Sequence, residues 1–153
     1  MIYIDVDGVL ADFITGVRDL GFTGNLINRV PGELPRFMSK NYEQIFRNAP
    51  PTRYVHFFKH MFAQSSQGQP YCRILTAIGS CYKPEHIDTV KENKYYWLEQ
   101  HGFDRDRVDI VAEAEDKIAY CRPGDVLYDD KESTIQAWNK AGGFGFLVDN
   151  RFI

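Results

Sequence analysis

Two short apolar runs, far apart in the chain, each end in a pair of carboxylates. Met1-Ile2-Tyr3-Ile4 leads into Asp5-Val6-Asp7-Gly8-Val9-Leu10, and Val126-Leu127-Tyr128 leads into Asp129-Asp130. Runs of this length read as buried strands. Strands set parallel in one sheet bring their ends to a common edge, where open α/β sheets place their ligands. Four carboxylates gathered there point to a site for a divalent cation and a phosphorylated substrate.

The 153 residues are enough for one well-buried core with a small appended module. A hydrophobic content of 44% argues for a folded globular chain. The net charge of -3 and pI near 5.8 supply no broad basic field, which disfavours a polynucleotide held through many phosphates. Cys72, Cys81 and Cys121 form neither an even disulfide set nor a metal-binding pair and read as reduced thiols. No apolar run approaches the roughly 20 residues that span a bilayer, and Asp5 stands too near Met1 for a signal peptide. A cytoplasmic protein with no membrane contact is the expectation.

Helical patterns and strands alternate along the chain. Residues 12–20 begin a helix, 21–32 are loop-like, and 41–49 and 52–64 are helix-like around Pro50-Pro51. Residues 65–70 read as a polar return linker, and Arg73-Ile74-Leu75-Thr76 as the second strand. The longest helical pattern covers 84–101, with Ile87, Val90, Lys91, Lys94, Tyr95 and Leu98 on one face and Gly102 as its stop. Strands follow at 108–111, 125–128 and 144–148, with a helix from a Ser133 cap to Lys140 between the last two. This order predicts an α/β fold: a parallel sheet covered on both faces, with the long segment between its first two strands forming a small helical insertion.

The chemistry of phosphate esters explains the acidic pattern. A carboxylate approaching a phosphate dianion meets a repulsion of roughly 1 kcal/mol at 4 Å in water and more at lower dielectric. Magnesium removes that obstacle, and its oxygen ligands are here supplied most naturally by Asp5 and Asp129. In Asp5-Val6-Asp7, alternate residues point the same way, so one carboxylate can attack while the other handles the leaving group's proton. Gly8 permits a sharp turn near the substrate.

These residues together resemble the haloacid dehalogenase-like phosphohydrolases, and among them the 5'(3')-deoxyribonucleotidase group. The similarity is carried by Asp5-x-Asp7-Gly8-Val9-Leu10 with Ala11-Asp12-Phe13, by Ile74-Leu75-Thr76, by Asp116-Lys117, and by Gly124-Asp125-Val126-Leu127-Tyr128-Asp129-Asp130. Lys94-Tyr95-Tyr96-Trp97 and Trp138 with Gly142-Gly143 add to it, whereas residues 21–68 carry little. The resemblance implies a Rossmann-like core of 1–14 and 69–153 and a helical cap of 15–68. It implies Asp5 as nucleophile, Asp7 as acid and then base, and Thr76, Lys117 and the Ala77 backbone around the phosphoryl group. Lys94 competes for the lysine role. It further implies Mg2+ held by Asp5, the Asp7 carbonyl and Asp129, with Asp130 acting directly or through water. Ala77 stands where relatives often carry Ser or Asn, so one side-chain contact to phosphate is expected to be missing.

Gly124-Asp125-x-x-x-Asp129 fits a second family spacing, but a strand over 126–128 puts Asp125 at the far edge of the sheet. A calcium loop fails because Gly8, Val9 and Gly16 stand where ligands are required. His56 and His60 are one helical turn apart but lack the intervening Glu of a zinc protease motif. Phe37, Tyr42, Phe46, Tyr54, Phe57, Phe58 and Phe62 read mainly as a small core, with one or two as candidates for stacking on a base. The expected activity is magnesium-dependent release of phosphate from a small phosphomonoester, foremost a nucleoside monophosphate. Another small phosphoester, a nucleic-acid 3'-phosphate or a non-catalytic phosphate-binding module are the alternatives.

Overall fold

The computed structural model of the chain describes residues 1–65 and 71–149. Residues 66–70 of the expected linker lie outside them. Five strands, β1 (Ile2–Ile4), β2 (Cys72–Ala77), β3 (Val108–Val111), β4 (Val126–Asp129) and β5 (Phe144–Leu147), form one parallel sheet in the order β3-β2-β1-β4-β5. The order reverses at β1, so the crevice between the ends of β1 and β4 is the switch point of the sheet. Register makes the juxtaposition concrete: Ile4 lies beside Tyr128, which makes Asp5 and Asp129 the next residues on adjoining strands.

Alternation along the strands builds two apolar layers. Ile4, Cys72 and Ile74 face α3 (Val55–Ala63) and α4 (Ile87–Gln100), where Phe58, Phe62, Trp97 and Leu98 complete a buried cluster. Tyr3, Leu75 and Leu127 face the other way, against Ile135 and Trp138 of α5 (Glu132–Lys140). Both buried tryptophans have their indole N–H satisfied, Trp97 by the Ala49 carbonyl at 2.7 Å and Trp138 by the Asp125 carbonyl at 2.9 Å.

Between β1 and β2 lie α1 (Phe13–Asp19), α2 (Glu33–Lys40) and α3. Val17, Phe22, Leu34, Ile45 and Phe46 form a further cluster with Ile78, Tyr82 and Val90, which ties this segment to the loop after β2 and to α4. Because Phe58 and Phe62 belong to the core under the sheet, α3 packs as a crossover helix rather than with α1 and α2. Among the described residues no helix is long and apolar enough to cross a membrane.

Several expected elements differ. Residues 41–47 form turns rather than a helix, and Phe46 has φ 69°. The Tyr42 and Ala49 carbonyls accept from Asn93 and Trp97 of α4 instead of from helical N–H groups. A helix stands instead at α2, entered through Gly32 at φ 79°. The pattern at 84–101 opens with a 3-10 turn over Pro84–His86. Its buried face is Val90, Asn93, Lys94, Trp97 and Leu98, whereas Ile87, Lys91 and Tyr95 are only partly buried. Finally, α5 begins at Glu132 with Lys131 at the cap position, so Ser133 lies inside the helix.

Candidate active site

Asp5 follows β1 directly, its N–H bonded to the Tyr128 carbonyl at 2.9 Å. The chain then turns tightly: Leu10 and Ala11 N–H groups both return to the Val6 carbonyl, and Gly8 has φ 79°, a left-handed conformation that a side chain would strain. Asp12 then caps α1, accepting from Thr15 N–H at 3.1 Å and from Thr15 Oγ1 at 2.6 Å. The turn leaves Asp5 buried and Asp7 half-buried beside a cavity of about 680 Å³.

Lys117 reaches the site from a 3-10 run, Ala114–Tyr120, whose start is a capping box between Glu113 and Asp116. Asp116 is thereby a capping residue. Lys117 is buried, with Nζ 3.0 Å from Asp5 Oδ1 and 2.7 Å from Asp129 Oδ2. Burial disfavours its charge, but the pull of Asp5 and Asp129 prevails and raises its pKa, keeping it ionised.

Lys94 holds the other side. Fully buried on α4, its Nζ donates to Asp7 Oδ2 at 2.7 Å, Thr76 Oγ1 at 2.6 Å and the Ala77 carbonyl at 2.8 Å. The Phe46 ring lies 4.4 Å from the same ammonium, a cation–π contact on its remaining side. The left-handed Phe46 therefore sits where its ring backs the lysine. Burial raises the Asp7 pKa, Lys94 opposes the rise and Asp5 adds to it.

One oxygen from each of Asp5, Asp129 and Asp130 lies within 4.8 Å of the others. Lys117 contacts two of the three, Asp5 and Asp129. Burial, then Asp5, raises Asp129, although Lys117 opposes the shift and Asp129 Oδ1 accepts from Lys131 N–H at 2.9 Å. Burial and the charges of Asp5, Asp129 and Asp7 push Asp130 up to about 8. An all-oxygen donor set of three carboxylates fits magnesium, which prefers such ligands.

The structure thus draws together every residue singled out for the site: Asp5, Asp7, Thr76, Ala77, Lys94, Lys117, Asp129 and Asp130. Lys94 and Lys117 do not compete for one position but occupy two. Asp125 lies at the opposite edge, bonded to the Met1 amino group at 3.0 Å and Arg122 N–H at 3.1 Å, as a strand over 126–128 requires. His56 and His60 are exposed on α3. None of the seven aromatics considered for stacking lines the cavity; Phe46, Phe58 and Phe62 are buried packing residues. Phe13 does line it, backed by Phe46 at a centroid distance of 5.7 Å. Arg29 and Lys131 also line it and were missed. Lys131 adjoins Asp130 and was findable by adjacency; Arg29 stands in a loop without pattern.

No protein-family model matches the chain, and no curated protein matches it. Among solved structures, a protein assigned as a haloacid dehalogenase-like hydrolase from Burkholderia xenovorans LB400 superposes with a TM-score of 0.51 at 17% identity, over 95% of this chain and 80% of that one. A hydrolase from Streptococcus pneumoniae TIGR4 gives 0.47 at 14% identity, covering 97% and 92%. The HAD domain of effector protein Lem4 from Legionella pneumophila gives 0.48 at 12%, covering 99% and 87%. The Burkholderia likeness concerns the fold, and with the parallel order β3-β2-β1-β4-β5 it shows that this chain has the α/β fold of a haloacid dehalogenase-like hydrolase.

Proposed function

We propose that the protein is a magnesium-dependent phosphomonoester hydrolase working through an aspartyl-phosphate on Asp5, with nucleoside monophosphates as its foremost substrates. The observation that carries this reading is the grouping of Asp5, Asp129 and Asp130, with Lys117 on the first two and the Lys94-bound Asp7 alongside at the same cavity. Asp5, Asp129 and Asp130 would hold the metal together with the Asp7 carbonyl. When bound, the ion neutralises the phosphoryl oxygens and the nucleophile together.

The chain's own groups divide the remaining work. An Asp5 oxygen forms a bond to phosphorus as the ester oxygen leaves. Asp7, whose raised pKa suits a proton donor, gives that oxygen its proton. Water then attacks phosphorus, passes a proton to Asp7 and breaks the Asp5–phosphorus bond. Lys117 carries positive charge to the phosphoryl oxygens, while Lys94 and Thr76 form the other wall. Since the transition state of phosphoryl transfer is loose, positioning and charge neutralisation supply most of the rate.

Phe13 and the partly exposed Ile14 give the cavity an apolar side for a base or comparable group. The segment carrying α1 and α2 would serve as the cap, with residues 15–68 as its widest extent. The three free cysteines favour a reducing, cytoplasmic setting. Phosphate release from ribo- and deoxyribonucleoside monophosphates, sugar phosphates and a 3'-phosphorylated oligonucleotide, with magnesium and with EDTA, tests the reading. Magnesium-dependent release led by nucleoside monophosphates supports it. Preference for another ester would replace the substrate, and absence of release from any ester would overturn the enzyme reading.

A further inference from the structure

The cations around the cavity fall into two kinds. Lys117 and Lys94, inside, are bound to carboxylates. Arg29 and Lys131 are exposed, line the same cavity, and have no ion pair among the described residues. Among the described residues the guanidinium of Arg29 makes one hydrogen bond, from Nε to the Leu26 carbonyl at 3.3 Å, and its terminal nitrogens make none. Lys131 uses its backbone N–H on Asp129, and its ammonium bonds nothing described. Asp12, the remaining acid of the lining outside the metal cluster and Asp7, has its carboxylate engaged by Thr15.

The loop bearing Arg29 is braced on both sides. Arg18 on α1 donates to the Phe22 carbonyl at 3.0 Å and the Gly24 carbonyl at 2.7 Å. Asn25 Oδ1 accepts from Ile27 and Asn28 N–H at 2.9 and 2.8 Å, and Glu33 N–H returns to the Val30 carbonyl at 3.1 Å. Arg29 is therefore presented by an ordered turn. A cavity of about 680 Å³ is much larger than a phosphoryl group needs and is of the size that holds a drug-sized organic ligand.

We infer that Arg29 and Lys131 form a subsite for a second anionic group, so that the preferred substrates are small phosphomonoesters carrying a further phosphate or carboxylate. This rests on the phosphatase reading and moves esters with a second anion ahead of plain nucleoside monophosphates in its substrate order. The reacting phosphoryl group meets the acidic cluster, and the second anion meets Arg29 and Lys131. Arg suits that task because its planar fork grips two oxygens at once.

The test compares kcat/KM of the full chain with magnesium on phenyl phosphate, adenosine 5'-monophosphate, adenosine 3',5'-bisphosphate and 2-phosphoglycolate, for wild type, Arg29→Ala, Arg29→Lys and Lys131→Ala. The inference requires wild type to prefer the bisphosphate or phosphoglycolate over the single-anion ester of like size. It also requires Arg29→Ala to reduce that preference about tenfold or more, mainly through KM, with partial recovery in Arg29→Lys. The preference should narrow as salt rises, because the two cations are exposed. The two diacid probes distinguish a phosphate from a carboxylate as the second group. Equal losses on all four esters, or an unchanged preference in both alanine variants, would overturn the subsite while release from phenyl phosphate still upheld the phosphatase. No release from any ester by wild type would instead remove the phosphatase reading on which the subsite stands.

Discussion

The two lysines of the site bind their carboxylates under opposite balances of charge. Around Lys94 there is one carboxylate, Asp7, and the other two hydrogen bonds go to the neutral Thr76 hydroxyl and Ala77 carbonyl. Around Lys117 there are two carboxylates in contact and a third, Asp130, in the same cluster. The Lys94 side is balanced within the protein. Among the described groups the Lys117 side carries more negative than positive charge, and burial, followed by the charges of Asp5, Asp129 and Asp7, raises Asp130 to about 8. On the proposed function, the difference explains why a cation would sit among the carboxylates at the ends of β1 and β4 and meet Asp7 only through its backbone carbonyl, although both lysines are buried to a similar depth.

Breaking the Lys117 side at the nucleophile should have the largest effect. Asp5→Asn keeps the shape but removes the attacking charge, and phosphate release should fall about 10^4-fold or more, measured against a thermal melt showing an intact fold. On the balanced side, Lys94→Met strands Asp7 without its cation. Unfolding in urea should show a loss of about 3–5 kcal/mol at neutral pH, since breaking a buried pair leaves an uncompensated charge. Magnesium should restore little of that loss.

The charge shortage can be read through pH. Asp7, Asp129 and Asp130 all have folded pKa values above their ordinary 3.8, so each favours the folded state when protonated. Ionising them costs stability, and the metal-free protein should lose stability as pH rises from about 4 through the Asp130 value of about 8. Magnesium should raise the melting temperature most near the top of that window, by about 4 °C or more. A melting temperature that rises over the same interval without metal would contradict the imbalance. The smallest effect belongs to Asp125→Asn at the far edge, where loss of the hydrogen bonds from Met1 and Arg122 should cost about 1 kcal/mol. Phosphate release per folded molecule should stay within about twofold, as a change remote from the site requires.

The sheet and its acidic edge were legible because they rest on local pattern. Strand residues alternate between two apolar layers, and carboxylates follow directly on β1 and β4. Lys94 stood on the face expected for its helix with Val90 and Leu98, but that face also took in Ile87, Lys91 and Tyr95, whereas packing turned Asn93 and Trp97 inward instead. The run 41–49 has helical spacing, yet α4 side chains claim its carbonyls, a tertiary effect that periodicity does not carry. The partners of Phe46 were hidden for the same reason: its ring serves Lys94, which is 48 residues away by subtraction of the two positions. Arg29 belongs to a turn fixed by Arg18 and Asn25, and the loop composition alone gave no reason to aim it at the site.

The central claim is that Asp5 becomes covalently phosphorylated. Its most direct test is the mass of an Asp7→Asn variant quenched after exposure to an aryl phosphate with magnesium. A phenolate leaves without needing a proton from Asp7, whereas the second step lacks its base, so the covalent species should accumulate. The account predicts one added phosphoryl group, located on the peptide that carries Asp5 and absent when Asp5→Asn is introduced as well. An unmodified Asp5 peptide, from a protein whose wild type releases phosphate from the same ester, would contradict it and assign the attack to water.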